Sequence, residues 1–398
     1  LFGRATERPL EFWTPTKIAL TAGAWTLGVA FQALVLFIPL TKIGLRYRPK
    51  FGIHGIGLRS MGPVAIWSVG LGNILITRIA TSAPRTAQLA FHINPLDVAG
   101  NATYQNAYTI YMLPYSLIAV SVATAIFPKI SRAIAERNLA EARDDLSQSL
   151  RVMGLIMCFF GAAFVVLPLP IILSLLPSVT VREALLMCGP LVALGFGIPF
   201  ASSYLIIQRT FYSFEDGRNP FLFTVMAIGT QVVVLLVGEA VLPPTEWVTM
   251  IGVSGTLSFM LPFPILFVML RKRFDGNVDG RRIFLSYMKS IIAEIAAIVV
   301  GLFCRNGVYR LVGARIGRDD GVMNWGQAVL SAMMMASIIA IVYLACLWAL
   351  RSEELASVKT IIVSRIPGLA SRPGKPTSPN GKLGRSDAEN GEQEQNHK

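Results

Sequence analysis

The sequence predicts an all-α, polytopic membrane protein with about nine transmembrane helices. Three observations predict it. The chain is 53% apolar with only 15% charged residues, and its mean hydropathy is +0.56. Apolar runs close to the roughly 20 residues that cross a bilayer recur along it. Short polar breaks separate these runs, and alternate breaks are basic, the bias that orients multi-pass proteins. A soluble core helix imitates one such run but not a whole series of them.

In order, the runs are Thr16–Ile43, Ser60–Ser82, Asn101–Phe127, Leu150–Leu176, Ala184–Gln208, Phe221–Val241, Val248–Leu270, Phe284–Phe303 and Trp325–Leu350. The net charge of +13 gathers in loops that fall on one face. One holds Lys42, Arg46, Arg48, Lys50 and Arg59, another Lys129, Arg132, Arg137, Arg143 and Arg151. A third holds Arg209 and Arg218, and a fourth Arg271, Lys272, Arg273, Arg281 and Arg282. By the positive-inside rule this face is cytoplasmic. With the charge spread over one membrane face and no folded basic domain, nucleic acid is excluded as a partner. One loop breaks the alternation: Arg305–Asp320 is basic yet falls outside.

The most informative stretch is Tyr104–Arg132, YQNAYTIYMLPYSLIAVSVATAIFPKISR. Gln105 and Asn106 are costly to present to lipid, so this helix should turn them to protein or a watery cavity. Pro114 removes a backbone donor and predicts a kink or hinge in the span. Such a helix suits a transporter wall. Ser131–Arg151 alternates charged and apolar residues, as an amphipathic surface helix or a plain connecting helix does.

The chemistry of catalysis is missing from the pattern. The four cysteines, Cys158, Cys188, Cys304 and Cys346, match no metal or redox spacing and read as buried thiols. His54, His92 and His397 lie far apart, and no nucleophile triad, phosphate loop or paired carboxylate stands out. No catalytic residue, metal ligand or cofactor is therefore assigned, and the chain is read as a non-enzyme. From Ser371 onward the sequence is rich in Pro, Gly, Ser, Asn and Glu, the composition of a disordered tail.

Three motifs carry a family resemblance. The first is the Leu113-Pro114 pair followed by LIAVSVATAIFPKISR. The second is His54-Gly55, then Leu58-Arg59-Ser60-Met61-Gly62-Pro63, leading to Ile76-Thr77-Arg78-Ile79-Ala80. The third is Phe211-Tyr212-Ser213, then Asp216, Asn219 and Pro220. Together, over about Ile18–Leu270, they resemble the MurJ (MviN) family of lipid II flippases in the MOP superfamily.

That family has two lobes of about six helices plus an appended helix pair. The resemblance implies that residues 1–44 supply the last helix of a first lobe, 45–270 the second lobe, 271–350 the appended pair and 351–398 a cytoplasmic tail. It implies a C-terminal fragment whose partner is the missing N-terminal lobe. Starting outside, with no preceding signal segment, points the same way. The implied activity is translocation of a lipid-linked peptidoglycan precursor across the bacterial plasma membrane by alternating access.

The substrate-binding residues implied are Arg78 and Asn73 on one span, and Tyr104, Gln105, Asn106, Tyr108 and Thr109 on the next. Arg78 would meet the pyrophosphate, or else anchor to outer headgroups. Thr109 stands where many relatives have a cavity arginine. The tyrosine hydroxyls would contact sugar or phosphate, or pack between lobes. Glu294 would pair with Lys289 or line a groove for the lipid tail. Two other functions fit the same spans. One is a flippase for an O-antigen or capsule lipid-linked unit. The other is a scaffold that recruits cell-wall synthesis proteins and transports nothing.

Overall fold

A computed structural model describes residues 14–42, 58–314, 323–352 and 354. His54 and the predicted tail lie outside those residues. Among the described residues every regular element is helical. The chain divides into two compact units, residues 1–63 and 64–398. In the first, α1 spans Pro15–Lys42. Helix α2, Leu58–Phe91, has described side chains from Gly70 onward.

The second unit continues with α3 (Asn101–Pro114), a π-turn (Tyr115–Ala119) and α4 (Val120–Ala135). Then come α5 (Leu139–Val166), α6 (Pro168–Leu175), α7 (Val181–Gly195), α8 (Ile198–Ser213) and α9 (Arg218–Val241). The last four are α10 (Trp247–Met260), α11 (Phe263–Arg273), α12 (Gly280–Val312) and α13 (Trp325–Ala349).

Among the described residues six helical segments are long and apolar enough to cross a membrane, or seven if the pair α7 and α8, bent by 47°, is one span. These seven coincide with the last seven runs predicted from the sequence. The first two runs are helical as well, in α1 and α2, but do not enter that count. The protein is thus a multi-pass membrane protein.

Local sequence explains where the helices start and stop. Thr180 and Glu183 form a reciprocal capping box at α7, with the Glu183 carboxylate accepting from Thr180 N at 2.9 Å. Asn138 caps α5 by accepting from Glu141 N at 3.2 Å, satisfying an orphan donor of the first turn. That cap corrects one expectation. Ser131–Arg151 is not one helix, because Arg137 adopts φ 59° and closes α4 before Asn138 opens α5. Three predicted spans are also broken, at Leu167, at Phe196–Gly197 and at Leu261–Pro262. A proline follows each break within two residues, where its lost N–H falls in a helix's first turn and costs little.

Helix α5 is the centre of the bundle. Of its apolar window 72% is buried, against 17% for α9. It packs against α4, α8 and α12. Outward-facing groups such as Val237, Phe303 and Trp348 are exposed, as lipid rather than water demands.

Close helix approach uses small residues. A Cβ on Gly161 would lie 2.5 Å from Glu294 Oε1 and 3.3 Å from Gly195 O, so glycine lets α5 and α12 meet around a buried carboxyl. Glu294 does not pair with Lys289. The Lys289 ammonium donates instead to Arg351 O at 3.3 Å, because five residues along a helix place the two side chains on diverging faces.

Candidate functional site

Helix α3 carries a tyrosine stripe. Tyr104, Tyr108 and Tyr111 recur at intervals of three and four, so they share one face, and Tyr115 of the π-turn lines the same cavity. The rings of Tyr104 and Tyr108 stack at 5.9 Å, and those of Tyr108 and Tyr111 lie 5.8 Å apart. This face lines a cavity of about 430 Å³ with Asn73 and Thr77 of α2, Gln105 of α3, Tyr204 of α8, Gln231 of α9 and Thr256 of α10. Its size falls within the range of small-ligand clefts, about 300–1,000 Å³. Phenols, amides and hydroxyls can donate to and accept from a polar ligand. Among the described residues no charged side chain lines it.

The structure brings together Asn73, Tyr104, Gln105 and Tyr108 of the residues singled out from the sequence. Asn106, Thr109 and Arg78 lie off the cavity lining. At about 100° per residue, Asn106 and Thr109 fall away from the tyrosine face. Thr109 Oγ1 donates back to Gln105 O at 2.8 Å. Arg78 Nη2 donates to Glu239 Oε1 of α9 at 3.0 Å. Sequence reasoning missed the far wall, Tyr204, Gln231 and Thr256. Their polarity inside apolar runs was the available signal.

Pro114 ends α3 and the π-turn follows at once. A proline inside a helix cannot complete the i to i−4 ladder, and a π-turn absorbs the mismatch. The tyrosine stripe crosses this irregular segment. Opposite it, Gly197 sits where α7 bends into α8. A Cβ there would lie 2.6 Å from Thr256 Oγ1 and 3.0 Å from Thr256 Cα.

The third sequence motif builds a polar clasp at the other end of these helices. Asp216 accepts from Arg218 N at 3.0 Å and Asn219 N at 3.2 Å, capping α9. Arg273, at the end of α11, reaches the same carboxylate through Nε at 3.0 Å and Nη2 at 2.6 Å. Burial pushes the Asp216 carboxyl up, but the bonds from Arg273, Asn219 and Arg218 outweigh it and hold the group below its ordinary value.

The chain matches the model of the family described as lipid II flippase MurJ over residues 10–312. It is similar to a lipid II flippase MurJ of Thermosipho africanus (strain TCF52B), 28% identical over 167 residues, which are 40% of this chain and 34% of that protein. It is also similar to a probable lipid II flippase MurJ of Borreliella burgdorferi (strain ATCC 35210 / DSM 4680 / CIP 102532 / B31), 22% identical over 275 residues, 67% of this chain and 51% of that one. A solved structure titled lipid II flippase MurJ, inward closed conformation, superposes with a TM-score of 0.52 at 17% identity, covering 85% of this chain and 62% of that one. That likeness shows the fold. The chain spans from 25% to 51% of the length of such curated relatives. With the family model matched over residues 10–312, the chain belongs to the lipid II flippase MurJ family.

Proposed function

We propose that this chain is part of a flippase that moves lipid II, the lipid-linked peptidoglycan precursor, across the bacterial plasma membrane. Family membership supports the reading. The observation that carries it is the tyrosine-and-amide cavity held within membrane-crossing helices. A diphospho-disaccharide headgroup cannot enter hydrocarbon unaided, because its charges lose their hydration. Hydroxyls and amides replace that hydration while the lipid tail stays in the bilayer.

In this reading Asn73, Tyr104, Gln105 and Tyr108 contact the headgroup. Arg78 meets the substrate at the rim of the path, in exchange with Glu239. Asn106 and Thr109 act through the helix they share with Gln105. Pro114 and the π-turn after it supply the hinge. Residues 45–270 form the second lobe, 271–350 the appended pair and 351–398 a cytoplasmic tail, with a first lobe as the partner. Two lobes rocking about a midplane site expose it to each side in turn. The work is non-covalent, so no enzymatic step is assigned.

The test uses the natural full-length protein in cells depleted of their own flippase. Growth should be restored, and outer-leaflet lipid II should rise with the amount of inserted protein. Restored export of an O-antigen or capsule unit without lipid II movement would assign the other substrate class. Growth restored by a variant that moves no lipid would favour the scaffold.

A further inference from the structure

Arg305 lies seven residues before the end of α12 at Val312, about 10 Å along the helix axis at 1.5 Å per residue. By the positive-inside rule α12 begins at the basic cytoplasmic loop and ends outside, so Arg305 sits at outer-leaflet depth. It is only partly exposed, and Cys188 and Tyr309 lie close beside it. Among the described residues no carboxylate pairs with it. A guanidinium within a span is costly unless an anion or water neutralises it.

Arg305 lines a shallow crevice of about 570 Å³ whose other walls are almost entirely apolar, Val165, Cys188, Val192, Phe196, Val253 and Leu257 among them. Val253 and Phe196 are 40% and 49% exposed, so the crevice opens sideways toward the lipid. One charged head above an apolar slot has the shape of a phospholipid's complement. A planar guanidinium fork donates to a phosphate in a bidentate pair, and an acyl chain fills the slot. The same occupant offsets a positive charge held at outer-leaflet depth, against the topology rule.

We propose that this crevice is a binding site for one anionic phospholipid of the outer leaflet, its phosphate on Arg305 and one acyl chain along Val253. The crevice shares Thr256 with the tyrosine cavity but otherwise has its own lining, and the proposal stands whether or not lipid II is the cargo.

The test is native mass spectrometry of the purified chain titrated with phosphatidylglycerol or with phosphatidylcholine of the same acyl chains. Wild type should hold one phosphatidylglycerol at least about tenfold more tightly than phosphatidylcholine. Arg305→Gln should abolish that preference and Arg305→Lys should keep most of it. Val253→Trp should fill the slot and weaken both lipids while Arg305 remains. Thermal unfolding of each variant within a few degrees of wild type keeps the comparison valid; Val253→Phe replaces Val253→Trp, and Arg305→Met replaces Arg305→Gln, should either unfold early. Equal binding of the two lipids by wild type, or unchanged phosphatidylglycerol binding in both Arg305→Gln and the filled-slot variant, overturns the proposal. Displacement of phosphatidylglycerol by a polyprenyl diphosphate, with Arg305 required for both, would give the site to the cargo instead and overturn it as well.

Discussion

Arg78 Nη2 and Glu239 Oε1 lie 3.0 Å apart and join the middle of α2 to the last turn of α9. The Arg78 side chain is 64% exposed, so the pair contributes at most about 1 kcal/mol to stability. Its value is geometric: it fixes the distance between two helices that both line the cavity. Arg78→Ala and Glu239→Ala should each lower lipid II translocation severalfold at normal protein level. The charge swap Arg78→Glu with Glu239→Arg should recover at least half of the loss. Full activity in Glu239→Ala beside a dead Arg78→Ala would instead assign Arg78 to the anion alone.

Gln105 and Asn106 are neighbours in sequence but point in different directions. Gln105 lines the cavity and Asn106 does not. Gln105→Leu should therefore cut translocation per inserted molecule by about tenfold, since a buried polar substrate group is left without its partner. Asn106→Leu should retain most of the flux, because intramembrane hydrogen bonds of structural type average near 0.6 kcal/mol. The reverse order of severity would show that the cavity is not on the transport path.

These two residues also show what was legible in the sequence. The amides and tyrosines of α3 announced a polar wall, but grouping Tyr104–Thr109 as a block ignored helical phase. The stripe runs through Tyr104, Tyr108, Tyr111 and Tyr115, and it continues past Pro114. Spans were legible because hydropathy integrates over about 20 residues. For the same reason it cannot see a break such as Gly197, where the chain bends by 47° while staying apolar. Asp216 was visible as part of a motif. Its partner Arg273, 57 residues away, was not, because pairing across a bundle has no local signature.

Asp216 makes stability depend on pH with a definite sign. Its folded carboxyl is held below the ordinary value, so its contribution is fully present above the unfolded value of about 3.9. It is lost as pH falls through the lower folded value. Asp216→Asn should melt several degrees below wild type from pH 7 to about pH 5, and the gap should close below about pH 4. A gap that stays constant to pH 3 would mean the carboxylate charge is not what holds Arg273.

Orientation is open to a direct measurement in a background without the native cysteines. A cysteine at Lys272, beside the basic end of α11, should resist a membrane-impermeant thiol reagent in intact cells. One at Glu246, exposed before α10, should label. The opposite pattern would invert the topology and move Arg305 to the inner leaflet.

The close contact of Gly197 with Thr256 yields the last expectation. Any Cβ at residue 197 would sit 2.6 Å from Thr256 Oγ1 and 3.0 Å from Thr256 Cα. The hydroxyl is held in place, donating to Ala193 O at 2.6 Å, and the Cα belongs to the backbone of α10. Neither can rotate aside, so Gly197→Ala must push α10 away from the α7–α8 bend. Overpacking of this kind costs about 1–3 kcal/mol. Adding Thr256→Ala removes the hydroxyl but leaves the backbone contact, so the double variant should regain only part of the loss. Gly229 is the internal control. It lies in α9 with nothing within 4 Å of a built Cβ, and Gly229→Ala should be neutral or stabilise by up to about 1 kcal/mol through helix propensity. Melting followed by size-exclusion chromatography in detergent would rank the three. If Gly197→Ala melts with Gly229→Ala, the bend has slack and the cavity wall it shapes is not rigid.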